Sequence, residues 1–424
     1  MGADTGTASE PAQAPENGAS RRTSIVGLVV AVCLIAINMR PTITAVGPLL
    51  DQIGSDTGLA TATLGFITAV PLIAWAVVSP LAHDLSQRFG LSRVVLWSLL
   101  LLTVGTVVRS IPGPVASLWI GTALIGVALA IANVLMPAVV KRDFPRRMPA
   151  MMAVYSALLG GFGALASGVA VPLSHLTDGG AGWRLALLLS GGALLPFAVA
   201  AWMWTTRGTH PALRRHPDAS HRRTGIWTDR TAWLVAAYMG LQSSSFYMLV
   251  TWLAAISTST GRTAVQAGFD VMFYQLFSVA GSLFLPLLLR GRAARAVPAL
   301  IPALGIAGAT GLMLAPGAIL LWGATLGLFG GASLGMSLTL LAQRARDHDA
   351  AAALSGMAQS VGYLLAAIGP VLFGVVHAAT GGWMWPLALL LVAMVGQAIA
   401  GVFAGRERFV LDRRAPRAQE MTPR

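Results

Sequence analysis

Apolar residues fill this chain in long blocks separated by short polar stretches. The blocks cover about residues 25–50, 61–82, 92–111, 115–140, 150–175, 183–205, 231–257, 264–289, 296–315, 318–342, 351–377 and 383–404. Each is close to the roughly 20 residues that a helix needs to cross a hydrocarbon core. The pattern therefore predicts an all-α membrane protein with twelve transmembrane helices. The first block has no small-residue cleavage site, so it reads as a retained helix rather than a signal peptide. The longest internal polar stretch divides the blocks six and six. The expected units are a disordered cytoplasmic N-terminus (1–23), a six-helix bundle (24–205), a cytoplasmic linker (206–230), a second six-helix bundle (231–405) and a basic cytoplasmic tail (406–424).

Composition agrees with the pattern. Hydrophobic residues make up 55% of the 424 and charged residues 11%, against about 25% charged in soluble domains. Mean hydropathy is +0.71. Such a chain is not a soluble enzyme, a disordered protein or an ordinary nucleic-acid-binding module. Its single cysteine, Cys33, permits no internal disulfide. The 47 glycines suit close helix packing in lipid.

A net charge of +13 would suggest nucleic acid if its location were ignored. With the N-terminus in the cytoplasm, 25 of the 29 basic residues fall in the inner segments. Arg109, Arg184 and Arg262 fall at outer ends, and Arg40 lies within the first block. This asymmetry predicts a multi-pass protein of the cytoplasmic membrane with both termini inside. The excess charge then holds loops near anionic lipid, and no nucleic-acid partner is expected.

The halves carry traces of a repeat. Gly121 and Lys141-Arg142 are matched 202 residues later by Gly323 and Gln343-Arg344, and Gly182-Trp183 is matched by Gly382-Trp383. Two parallel six-helix repeats are the plan of many secondary transporters, which bind substrate between the halves near the midplane.

Arg40 is the most informative single residue. It lies 15 steps beyond Ile25, about 22 Å of helix, too deep to reach the inner surface. A cation there costs at least about 2.5 kcal/mol on insertion scales and should face a wet cavity with a partner or an anionic or dipolar ligand. Pro41 and Pro48 remove helix hydrogen bonds beside it. A structural arginine bound to neighbouring carbonyls is the competing reading. The 202-residue offset places Gln242 opposite Arg40, at the head of the polar cluster Gln242-Ser243-Ser244-Ser245, with Tyr247 and Trp252 following. Trp252 is expected near the outer interface, where an aromatic-belt role competes. Further polar candidates within spans are Asn133, Tyr155, Gln359 and Tyr363. Together they predict a neutral hydrogen-bonding cavity around one fixed cation, although interhelical bonding could claim each residue alone. Asp270 is the only acidic residue well inside a block. It is a coupling candidate that could pair with Arg40 or titrate during transport, or it could be a solvated vestibule residue.

No G-x-x-x-x-G-K-[ST] loop, H-E-x-x-H pair or cysteine cluster occurs. ATP drive, a metal, a cofactor and enzyme catalysis are therefore not expected.

Four stretches together resemble a known family. They are Asn38-Met39-Arg40-Pro41-Thr42 through Val46-Gly47-Pro48-Leu49-Leu50; Asn133-Val134-Leu135-Met136-Pro137 with Lys141-Arg142-Asp143-Phe144-Pro145; Gln242-Ser243 with Tyr247 and Trp252-Leu253; and Leu354-Ser355-Gly356-Met357-Ala358-Gln359 with Val361-Gly362-Tyr363 and Gly369-Pro370. The chain, over about residues 25–405, resembles the major facilitator superfamily and within it the cyanate transporter/2-nitroimidazole transporter branch. The resemblance implies a twelve-helix secondary active transporter working by alternating access on a small polar or anionic solute, driven by an ion or solute gradient; a monomer is expected, with a proton or counter-solute as the candidate coupled partner. An exporter of the same fold is the alternative, ahead of a channel, receptor or enzyme. One departure stands out. The superfamily's second loop usually has Asp three residues before a Gly and followed by Arg, whereas here Gln87-Arg88 precede Gly90 and the nearest acid is Asp84. A variant charge network is expected at that gate.

Overall fold

The computed structural model describes residues 17–177, 181–207, 225–290, 295–346, 348–406 and 408–411. Residues 1–16, most of the expected linker (208–224) and most of the expected tail (412–424) lie outside the described residues.

All regular structure among the described residues is helical. We number the long helices α1 to α12. α1 is interrupted, running as Asn17–Met39, Pro41–Thr44, a 3-10 turn Gly47–Leu49 and Leu50–Thr57. It is followed by α2 (Thr61–Phe89), α3 (Leu91–Ser110), α4 (Val115–Asp143), α5 (Met148–Ser174) and α6, in two segments (Gly182–Gly192 and Leu195–Thr206). The second half holds α7 (Arg230–Ser259), α8 (Ala264–Leu288), α9 (Val297–Leu314), α10 (Ile319–Gln343), α11 (His348–Thr380) and α12 (Met384–Ala404). Eleven of these are long and apolar enough to cross a membrane by length and composition. The other, α7, has 30 residues, but its Gln242–Ser245 cluster lowers its apolar content. The chain has the twelve-helix fold that the sequence predicts.

Local sequence explains several ends. Asp229 caps α7, accepting from the backbone N–H groups of Thr231 (2.7 Å) and Ala232 (3.1 Å). Thr263 and Gln266 form a reciprocal capping box at α8, and such caps contribute about 1 kcal/mol each. Gly90, with φ +88°, makes the one-residue turn between α2 and α3, where an L side chain would be strained.

The chain ends of the two halves share one face of the bundle, here called proximal; the opposite face is distal. Arg344, which the sequence places in a loop, is buried proximally and donates to the carbonyls of Ala404 (2.9 Å) and Gly405 (3.2 Å). Arg142 donates to Ser92 Oγ (3.0 Å) and pairs with Asp143 (2.6 Å). At the second loop Gln87 bonds His83 (2.8 Å) while Asp84 is exposed. Distally, Arg184 lies over the Trp183 ring (4.3 Å) and donates to the Ile111 carbonyl (2.7 Å), while Trp183 Nε1 donates to Asp56 (3.1 Å).

The halves meet mainly through α2 with α11, α5 with α8, and the α1 turn with α7, with smaller contacts of α8 to the α1 turn and of α7 to α2. Their distal segments are sealed. Gly47 lies directly against the Val250 carbonyl, and nothing larger than glycine fits there. Trp252 is the correction to a sequence expectation. It is buried rather than interfacial, donates from Nε1 to the Pro370 carbonyl (2.9 Å), and packs beside Gly65 of α2 and Gly374 of α11. Across the same seam Thr251 bonds Thr68 (3.2 Å).

Candidate functional site

The break in α1 follows from its two prolines. Pro41 has no N–H to offer the preceding turn, so the first helical segment stops at Met39. Beyond it the ladder tightens: the Val46 N–H turns to the Ile43 carbonyl (3.2 Å). Pro48 likewise offers nothing to the Thr44 carbonyl, which instead accepts from Ser167 Oγ of α5 (2.9 Å). Gln275 Nε2 of α8 donates to that same hydroxyl (2.6 Å). A broken helix in lipid needs such surrogate partners, because each unsatisfied backbone group there costs several kcal/mol.

Arg40 emerges at this break. Its side chain is half-buried, and its stem lies on Gly163 of α5, where a Cβ would come within 2.5 Å of Arg40 Cγ. The guanidinium sits 5.2 Å from the centre of the Phe246 ring of α7, a favourable cation–π placement. No acceptor among the described residues takes a hydrogen bond or ion pair from it. The competing reading, an arginine tied down by carbonyls, is not what the geometry shows.

Four of the chain's five tyrosines, Tyr155, Tyr247, Tyr274 and Tyr363, lie within range of the Arg40 charge. Trp75 of α2 links two of them edge-on, at 5.1 Å from Tyr363 and 6.3 Å from Tyr247. Phe246 meets Tyr247 (5.2 Å) and Tyr274 (6.0 Å). The buried Trp75 Nε1 and Tyr274 hydroxyl have no hydrogen-bond partner among the described residues. The result is a cation and polar hydrogens set in aromatic walls, with donors prevailing over acceptors. Such a surface suits a ligand whose polar end carries acceptor-only oxygens.

The sequence-predicted residues divide into two groups. Arg40, Tyr155, Tyr247 and Tyr363 come together. Tyr155 also donates to Met39 Sδ (3.2 Å), tying α5 to the end of the first α1 segment. Gln242 is buried on α7 but accepts from its neighbour Ser243 (3.1 Å). Gln359 donates to Ser355 along its own helix (2.8 Å). Asn133 is half-buried on α4, with no side-chain hydrogen bond to a described residue. Asp270 does not pair with Arg40. It is buried near the distal face, where Arg262 grips both carboxylate oxygens (2.6 and 2.8 Å) and Ser257 donates to it.

Sequence reading missed Trp75, Phe246, Tyr274, Gln275 and Gly163 as site residues. Trp75 and Phe246 look like ordinary members of apolar blocks. The adjacent pair Tyr274-Gln275, two polar groups amid the eighth block, is the usable signal.

The family model for the Major Facilitator Superfamily matches residues 28–370. The chain is 39% identical over 385 residues to a 2-nitroimidazole transporter of Escherichia coli (strain K12), covering 90% of this chain and 96% of that protein. It is 29% identical to the cyanate transport protein CynX of the same organism, over 87% of this chain and 94% of that one. Among solved structures, a mutant form of the nucleoside transporter NupG shares the fold with a TM-score of 0.73 at 11% identity, covering 89% of this chain and 100% of that one.

Proposed function

The chain belongs to the major facilitator superfamily and is a multi-pass transporter of small solutes, and from that premise we propose that it carries a small anionic or strongly dipolar solute, of the cyanate or nitroimidazole kind, across the cytoplasmic membrane. Arg40 holds the solute's negative or oxygen-rich end. Phe246, Tyr247, Tyr363 and Trp75 enclose its body, and Tyr155, Gln242, Asn133 and Gln359 supply further hydrogen bonds as the halves move. One observation carries this reading: a deep guanidinium, set at a helix break among aromatic rings, that no acceptor among the described residues engages. A cation left so in the membrane demands an anionic or dipolar partner, and the substrate is that partner.

The halves rock about this site in alternating access, monomeric, with both termini inside. The proximal face is then cytoplasmic, and the distal seam of Gly47, Trp252 and Thr251 is the outer gate in its closed state. Asp270, clamped by Arg262 and Ser257 at that gate, is the candidate for proton coupling.

Purified protein in proteoliposomes tests the proposal. Saturable uptake of labelled cyanate or 2-nitroimidazole is expected, and it should vanish in Arg40→Ala while that variant inserts normally. Unchanged uptake by Arg40→Ala, or flux that rises linearly with concentration as through a channel, would sink it.

A further inference from the structure

A second arginine stands behind the first. Arg109 occupies the last turn of α3, where the sequence places it among outer-end charges. Its side chain is instead 1% exposed. Nη1 donates to the Thr42 carbonyl at 2.7 Å, while Nε and Nη2 have no partner among the described residues. Gly121 of α4 packs directly against the Arg109 backbone, and Gly191 of α6 against Thr42, so both ends of this contact are fixed by close helix packing.

The Thr42 carbonyl is a specific target. In an unbroken helix it would accept from the Val46 N–H, but that group turns to Ile43. Thr42 is therefore left with an orphan acceptor two residues beyond Arg40. Arg109 fills it from within the first half, as Ser167 fills the Thr44 orphan. The first α1 segment also ends here, and the partial negative charge of a helix C-terminus offsets cations gathered at the break without a carboxylate.

We propose that Arg109 is a positioning residue: by holding the Thr42 carbonyl it fixes the pitch of the Arg40–Thr44 turn, and so the place of the Arg40 guanidinium in the substrate site. It also adds a second positive charge to a region where no described acidic side chain makes contact, biasing the site toward anionic over neutral solutes. The proposal rests on the reading that Arg40 holds the substrate.

Arg109→Met removes the donors and charge at similar volume. Relief from burying a cation offsets part of the cost of leaving the Thr42 carbonyl unpaired, so the variant is expected to fold with at most a modest fall in melting temperature. Hydrogen–deuterium exchange of the substrate-free protein in nanodiscs should then rise roughly tenfold or more across residues 40–50, as expected for loss of a charge-assisted bond, with α4, α9 and α12 unchanged. Uptake of cyanate should show a raised KM with a smaller change in maximal rate. Arg109→Lys, which keeps the charge and an N–H donor group for the carbonyl, should restore protection. Should Arg109→Met fail to fold, Arg109→Gln, polar but too short for the Thr42 carbonyl, should give the same local exchange. Exchange over residues 40–50 that stays at the wild-type level, or rises equally throughout the molecule, would overturn the proposal. If Arg40→Ala keeps full uptake, the substrate reading fails, yet the exchange data still decide whether Arg109 pins the turn.

Discussion

Positions 40 and 242, one in each half, show how far the repeat has diverged. In the first half the position holds Arg40 at a broken helix. In the second it holds Gln242 inside α7, which runs unbroken from Arg230 to Ser259. The prolines explain the difference: Ser243 and Val250 stand at the 202-residue offset from Pro41 and Pro48. α7 therefore keeps its ladder and needs no surrogate donors, whereas α1 needs Arg109 and Ser167. The side chains follow the same division. The first half brings the cation together with Trp75 and Tyr155, and the second brings Phe246, Tyr247, Tyr274 and Tyr363. In the proposed function, the half that carries Arg40 orients the solute's polar end, and the mostly neutral, aromatic second half encloses most of the rest.

The largest expected effect is at the charged position. Arg40→Ala removes charge-assisted bonds worth about 1.5–3 kcal/mol each, which is roughly 10- to 100-fold in affinity per bond, and uptake is expected to be lost.

Asp270→Asn would break the comparison, because it asks whether the second half is electrically idle. If Asp270 couples protons, the variant loses concentrative uptake while solute counterflow persists. Equal loss of both would make the Arg262–Asp270 pair a structural clamp only. The pair is buried on the Asp side, so weakening it leaves Arg262 with a poorer partner, and some fall in thermal stability is expected with either outcome.

Gly163→Ala sharpens the comparison from the first half alone. The added methyl meets the Arg40 stem, and such overpacking costs about 1–3 kcal/mol. Solute affinity should fall about tenfold or more, while the aromatic wall of α7 and the distal seam are untouched. A substrate titration by tryptophan fluorescence would read it.

Gln242→Ala should have the smallest effect. Gln242 bonds its own neighbour, and interhelical bonds in membranes average only about 0.6 kcal/mol, so KM should move less than threefold or so. An effect as large as that of Arg40→Ala would show that the halves share the polar end of the solute equally.

Much of this was legible along the chain. The apolar blocks, the lone deep Arg40, the two prolines and the family stretches need only local reading. Hydrophobicity reports transfer of a segment from water to lipid, and a buried charge or a proline acts where it stands. Arg109 marks the limit. At the end of its block it counts as an outer charge for topology, yet its partner is a carbonyl 67 residues earlier. Asp270 marks it too. Its depth is readable, but Arg262, eight residues away, reads only as an outer-end charge, and only the folded turn between α7 and α8, which also brings Ser257 to the carboxylate, pairs the two.

The sequence by itself determined the twelve spans, the division into halves, the family and the single cation on which a substrate reading rests. Tertiary structure alone decided which orphan carbonyl each surrogate donor fills, which rings surround Arg40, and that Trp252 seals a seam rather than facing lipid. The physical reason is rotational. A helix in lipid can turn any face inward at little cost in transfer energy, because lipid is as apolar as the interior. The face it presents is fixed by close packing at residues such as Gly47, Gly121 and Gly163, and only the assembled bundle selects it.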